Sequence, residues 1–259
     1  MVKSYDLPPL RDESTSAEDI EAIMSMMKPN SDELKYEFTY WRMSGVGAVS
    51  RDLMAIAGIA WEDKHPQTWP QDYNETPSGM FPILRIQNVE NKTFTLFESS
   101  VIDCLLAKKF DLMGDNEYEE LLVRTFYMNS HSVRERYLMR VTWNYKEVMD
   151  KGRDKYLETS IPLWCTVQRR QLEANGDNGH LVGNRLTLAD IMLANVIDHI
   201  ATLPEAERAL AVIEECAPGL FKVKENVDKD PRLAQWRKSD KYKEFIEGSR
   251  TTYKTSGIV

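Results

Sequence analysis

Residues 36–63, YEFTYWRMSGVGAVSRDLMAIAGIAWED, decide how the fold is read. Tyr36 to Trp41 alternates and is rich in aromatic and β-branched side chains, the pattern of a strand with two different faces. Ser44-Gly45-Val46-Gly47 breaks the alternation. Val49, Leu53, Met54, Ile56 and Ala57 then recur at helical spacing, and Gly58 is placed to stop the helix. A second short strand is expected near Ile59 to Glu62. A strand, a helix and a strand in this order open an α/β domain.

Downstream, polar residues 63–78 form a long loop and hence a candidate binding loop. Phe81-Pro82-Ile83-Leu84-Arg85-Ile86 reads as a strand that begins at a proline, with 92–96 as its hairpin partner. Glu98-Ser99-Ser100 opens a helix through Val101, Ile102, Leu105 and Leu106. Everything beyond about Phe110 has helical patterning. One long helix is expected over 117–151, then helices over 158–174, from Thr187 past Ile200, and over 205–216, 218–228 and 239–247. Thr187-Leu188-Ala189-Asp190 has the spacing of a capping box that nucleates a buried helix. The chain therefore divides into an acidic extension over 1–34, an α/β domain over 35–111 and an all-helical domain over 112–259. Within the extension, Ser16 to Asp19 reads as the start of a short surface helix, and the remainder as loosely attached.

Composition narrows the function classes. Hydrophobic residues at 42% and charged residues at 29% are those of a packed globular chain. A net charge of −8 disfavours nucleic acid as the main partner. No run approaches the ~18 apolar residues of a membrane helix, and the acidic N-terminal stretch lacks the apolar core of a signal peptide. Three widely spaced cysteines without a CxxC favour buried thiols in a reducing compartment, so the expected location is cytoplasmic. The four histidines have no ligand-like spacing, and no metal is expected.

Single residues remain ambiguous at this level. Pro82 can be an ordinary edge-strand proline, or a cis-proline that turns the Phe81 backbone toward an extended peptide ligand. Glu98, Ser99 and the helix they begin can hold an ammonium and a carboxylate, the two charges of an amino-acid end. Tyr40 can be a half-buried strand tyrosine, or a phenol that donates to a sulfur and so favours the thiolate.

Taken together, these stretches resemble the cytosolic glutathione transferases of the tyrosine type, nearest to the sigma class. Residues 36–63 are similar to that family's first strand-helix-strand. TWPQDYNETPSGMFPIL over 68–84 is similar to its second loop, LFESSVID over 96–103 to its next helix start, and GHLVGNRLTLADIMLANVID over 179–198 to its capping-box helix. APGLFKVKENVDKDPRLAQW over 217–236 is similar to its penultimate helix. The resemblance implies a thioredoxin-like N-terminal domain followed by a helical-bundle domain. It implies Tyr40 as the catalytic residue, with glutathione as co-substrate held by Tyr40, Trp69, Tyr73, Met80, Phe81, Pro82, Glu98 and Ser99. It also implies a hydrophobic electrophile near Met43, Val46, Tyr127, His131 and the C-terminal tail, and a homodimer. The family's usual basic residue at 73 and Lys or Gln at 80 are Tyr and Met here, and its sigma-type Arg-x-Glu is replaced by Val46-Gly47-Ala48. A non-catalytic ligand-binding or structural relative is the alternative these departures raise, and a glutathione-dependent isomerase or peroxidase acting through the same thiolate is another.

Overall fold

In the computed structural model, residues 17–29, 33–67 and 76–255 are described. Trp69 and Tyr73 lie outside them, as does most of the extension. Strands β1 (Lys35–Thr39), β2 (Trp61–Lys64), β3 (Ile83–Gln87) and β4 (Thr93–Phe97) form one sheet in the order β2-β1-β3-β4. β1 runs parallel to β2 and antiparallel to β3, and β3 is antiparallel to β4. A parallel pair requires a crossover, and α2 (Ala48–Ala57), preceded by a 3₁₀ turn at Gly45–Gly47, provides it. Gly58, with φ +70°, ends α2 by donating its N–H back to Met54 and Ala55. The inward face of β1, Tyr36 and Phe38, packs with Leu84 and Ile86 of β3, Val49 and Leu53 of α2, and Ile102 and Leu106 of α3 (Ser99–Lys109).

The acidic extension contributes α1 (Ala17–Met27), which is docked more firmly than its composition suggests. Met26 is buried, and Lys109 Nζ donates to the Met26 and Lys28 carbonyls at 2.8 and 2.6 Å, satisfying acceptors at the helix C-terminus.

After α3 the chain is helical: α4 (Glu117–Tyr137), α5 (Lys146–Lys155), α6 (Ile161–Ala174), α7 (Leu188–Ile200), α8 (Ala206–Cys216), α9 (Gly219–Asp228), α10 (Pro231–Lys238) and α11 (Asp240–Thr255). α7 is the buried centre. Thr187 and Asp190 close the capping box at its start, and Asp190 also accepts the Leu181 N–H at 2.7 Å. Polar contacts join this bundle to α2. Asn195 of α7 and Arg237 of α10 both donate to Asp52, at 2.7 and 2.8 Å.

Two expectations are corrected. The single helix over 117–151 is broken: α4 widens into a π-helical turn at Leu138–Thr142, and a bend at Trp143–Tyr145 separates it from α5. The Asn144 side chain competes for main-chain groups there, donating to the Arg140 carbonyl and accepting the Tyr145 N–H. Gly152 then lets α5 fold back so closely that a Cβ would lie 2.3 Å from the Arg140 oxygen. The last helix reaches Thr255 rather than ending near 247, and α10 precedes it.

Candidate active site

Tyr40 leaves the end of β1 with its main chain pinned on both sides. Its N–H donates to the Lys64 carbonyl at 3.0 Å, and its carbonyl lies 2.8 Å from His65 Nδ1. The turn that follows folds over its ring, and the Val46 N–H donates to the Tyr40 hydroxyl oxygen at 3.1 Å. Gly45 passes so close, with φ +44°, that a Cβ would lie 2.4 Å from that oxygen. Burial raises the Tyr40 pKa, while the Val46 amide and the guanidinium charges of Arg134 and Arg51 act in the opposite direction.

Arg51 of α2 is almost wholly buried and organises the Trp41–Met43 turn. It forms a two-pronged pair with Asp63 at 3.1 and 3.0 Å and donates to the carbonyls of Met43 and Trp41 at 2.7 and 3.2 Å. Its guanidinium carbon lies 4.0 Å from the centre of the Phe245 ring and 5.5 Å from that of Tyr40. A planar, multiply donating cation suits this position better than a lysine would.

A cavity of about 890 Å³ opens beside Tyr40. Tyr40, Met43, Gly45, Val46, Met80 and Phe81 line one side. Leu138 and Thr142 of the π-helical turn, Trp143 of the bend after it, and Gly248 and Thr251 to Tyr253 from α11, line the other. The walls are mostly apolar, with the phenol as a polar group at the edge. Two residues expected at this surface are elsewhere. Tyr127 is buried, donating to Asp103 at 2.8 Å, and His131 lies beneath Ser99. The π-helical turn after α4 takes their place, alongside α11 from the expected C-terminal tail, and that turn was not legible without the packing.

Sheet register explains why the other expected residues meet at this end. Thr39 pairs with Ile83, and Ile83 pairs with Phe97. Tyr40, Phe81-Pro82 and Glu98-Ser99 therefore continue from three neighbouring strand ends. The Phe81–Pro82 bond is cis. Glu98 is exposed and adopts φ 71°, an unusual backbone for a non-glycine residue, just before the free N–H groups of α3. Ser99 is largely buried, with Oγ 3.3 Å from His131 Nε2. Burial, aided by the Arg134 charge, lowers the His131 pKa to about 3. A neutral ring is no ion-pair partner, so the 3.6 Å approach of its Nδ1 to Glu135 is a contact between a dipole and a charge.

Among the described residues, no group of three or more His, Cys, Asp or Glu is arranged to hold a metal ion, and no helix is long and apolar enough to cross a membrane.

A mixed four-stranded sheet leading into an all-helical bundle, with a cis-proline and a helix N-terminus at one sheet end, defines a recognisable class of protein. The family model for the glutathione S-transferase C-terminal domain matches residues 131–240. Glutathione S-transferase 3 of Caenorhabditis elegans is 30% identical over 207 residues, covering 78% of this chain and 94% of that protein. A class-mu 28 kDa glutathione S-transferase isozyme of Schistosoma japonicum is 27% identical over 166 residues, covering 63% and 80%. A sigma-class structure from Fasciola hepatica aligns with a TM-score of 0.70 at 23% identity over 80% of this chain and 97% of that one, a likeness of fold. The chain belongs to the glutathione S-transferase family and is a glutathione transferase. Matches to both mu-class and sigma-class proteins place it in the superfamily at large, which is coarser than the sigma-class resemblance of its sequence.

Proposed function

We propose that this enzyme conjugates glutathione to hydrophobic electrophiles, with Tyr40 stabilising the thiolate. The observation that carries the reading is the Val46 N–H donated to the Tyr40 oxygen. With that oxygen accepting there, the phenolic proton is directed away from the Val46 amide and is available to a sulfur. The donor set also suits the ligand. Ser99 and the first N–H groups of α3 offer hydrogen bonds to a carboxylate, and Glu98 offers an acceptor for an ammonium. These complement the γ-glutamyl end of glutathione, at the same sheet end as Tyr40. Glutathione supplies a thiol, which is the nucleophile once ionised.

On this reading each residue has a limited task. Tyr40 donates to the sulfur and lowers its proton affinity. Phe81 and Pro82 present main chain to an extended peptide. Met43, Val46, Leu138, Trp143 and Tyr253 exclude water and hold an apolar acceptor near the sulfur. Trp69 and Tyr73, named by the resemblance, complete the proposed glutathione set. Exposed Tyr118, Leu121 and Met128 on α4, with Val101 on α3, support association of two copies. A wild type that sediments as a monomer at micromolar concentration excludes that dimer.

The test is conjugation to an activated aryl halide by wild type and Tyr40→Phe. Loss of one donor at a developing charge costs about 10²-fold in turnover. Equal turnover in the two proteins rules Tyr40 out as the catalytic residue.

A further inference from the structure

Arg134 is buried without the partners such a group normally has. It is the fourth residue from the C-terminal end of α4, fully enclosed. Its Nη1 donates to the Gly45 carbonyl at 3.2 Å, while Nε and Nη2 have no hydrogen-bond partner among the described residues. Enclosing a guanidinium so sparsely is costly, and packing alone gives no reason to keep one there.

The acceptor it does have is informative. The Gly45 carbonyl and the Val46 N–H are the two ends of one peptide unit. The only cis bond among the described residues is Phe81–Pro82, so this unit is trans and its two ends point in opposite directions. Arg134 holds one end at 3.2 Å, and the Tyr40 hydroxyl oxygen meets the other at 3.1 Å. A cation at the carbonyl polarises the peptide and makes its N–H a stronger donor, and chains of hydrogen bonds reinforce one another in a dry interior.

We infer that Arg134 is a positioning residue that acts on the Tyr40 hydroxyl through the Gly45–Val46 peptide, strengthening that hydroxyl as a donor to the substrate sulfur. This rests on the reading of Tyr40 given above. No proton is transferred along the chain. The peptide transmits polarisation and fixes the height of the turn over the phenol.

Other charges face these groups. Tyr40 also faces Arg51 and Tyr253. Arg134 faces Asp103 of α3, Tyr127 and His131 of α4, Tyr156, His199 of α7 and Tyr253 of α11. Both histidines are kept neutral, with pKa values lowered to about 3, and burial raises the three tyrosines. Asp103, raised to about 7, is the group that titrates nearby, so the measurements belong in an Asp103→Asn background.

The experiment titrates the bound glutathione thiol by its thiolate absorbance and follows the acid limb of the rate–pH profile. Arg134→Gln keeps a donor but removes the charge, and should raise the thiol pKa by about one unit. Arg134→Lys, which keeps the charge, should restore most of that shift. In a Tyr40→Phe background, Arg134→Gln should change nothing further. If Arg134→Gln does not fold, replacing the Gly45–Val46 amide by an ester removes the N–H and leaves the guanidinium in place, and the same rise is expected. An unchanged titration in folded Arg134→Gln or in the ester protein overturns the inference. So does a full Arg134→Gln shift that persists in Tyr40→Phe, because the charge would then act directly on the sulfur. A Tyr40→Phe protein with a wild-type thiol pKa is a different failure, that of the reading on which the inference rests.

Discussion

Gly248 of α11 lies against the main chain of Arg42, so closely that a Cβ on it would stand 2.1 Å from the Arg42 carbonyl oxygen. That contact seats the C-terminal helix on the turn leading away from Tyr40. The Ser44 N–H continues it, meeting the Phe245 carbonyl at 3.2 Å and Ser249 Oγ at 3.0 Å. Because the obstructing atom is backbone, Gly248→Ala must move α11 or the turn. The expected result is a stability loss of about 1–3 kcal/mol. The electrophile KM should rise several-fold while glutathione affinity changes little, since α11 lines only the apolar side of the cavity. Denaturant unfolding and two-substrate kinetics check both halves, and an unaltered electrophile KM argues against α11 as a cavity wall.

Gly45 is constrained by both its backbone and its neighbour. At φ +44° a side chain is strained, and the added Cβ would meet the Tyr40 hydroxyl. Gly45→Ala should cost about 1 kcal/mol or more in stability and displace the phenol. Turnover should then fall toward the Tyr40→Phe level, roughly 10²-fold. Wild-type turnover in a folded Gly45→Ala protein would show that the phenol tolerates the displacement.

Arg51 and Asp63 are both nearly inaccessible, at 2% and 0% side-chain exposure. Removing Arg51 leaves the enclosed Asp63 carboxylate with two weaker contacts, Trp61 Nε1 at 3.4 Å and Lys241 Nζ at 3.6 Å. Arg51→Met should therefore destabilise the protein by about 3–5 kcal/mol and free the Trp41–Met43 carbonyls that the guanidinium holds. The double variant Arg51→Met, Asp63→Leu should recover part of that loss. If the double variant is as unstable as the sum of the two single variants, the pair is not the coupling that matters.

What the sequence made legible follows its periodicities. Tyr36, Phe38 and Tyr40 alternate, Val49 and Leu53 repeat at helical spacing, and Gly58 stops α2, so the first strand and helix emerge with their boundaries nearly right. β2 lies two residues later than expected because Ile59 and Ala60, though apolar, belong to the connection after Gly58. The bend at Trp143 was hidden because the apolar pattern runs through it and the breaker, Asn144, is a weak one. α10 carries a local signal of its own, with Asp230 capping the Arg232 and Leu233 N–H groups and Pro231 filling the first helical position. In the candidate site, Tyr40, Phe81-Pro82 and Glu98-Ser99 were singled out by the family resemblance, their local chemistry alone leaving packing roles open. Arg51 and Arg134 were not, because a charged residue on an amphipathic helix reads as a solvent-facing residue. Only the long-range packing, with Gly45 opposite α4 and Asp63 opposite α2, shows that both are enclosed.

Asp103 makes stability depend on pH. The carboxyl is fully buried between α2 and α4, with Ser50 Oγ at 2.5 Å and the Tyr127 hydroxyl donating at 2.8 Å. Burial raises its pKa to about 7, outweighing the two hydrogen bonds and the Arg134 charge. The unfolded carboxyl titrates near 4. Between those values the folded state holds a proton that the unfolded state has released, so this group's contribution is fully present below about pH 4 and is lost as pH rises toward about 7. The slope should amount to a few kcal/mol across that window. Asp103→Asn keeps an acceptor for Tyr127 and gains an N–H for Ser50, so it should fold normally and flatten the profile. At pH ~8 the variant should be at least as stable as wild type, because it no longer encloses a carboxylate. Urea unfolding at a series of pH values measures both curves, and parallel curves for the two proteins would show that Asp103 does not titrate in this range.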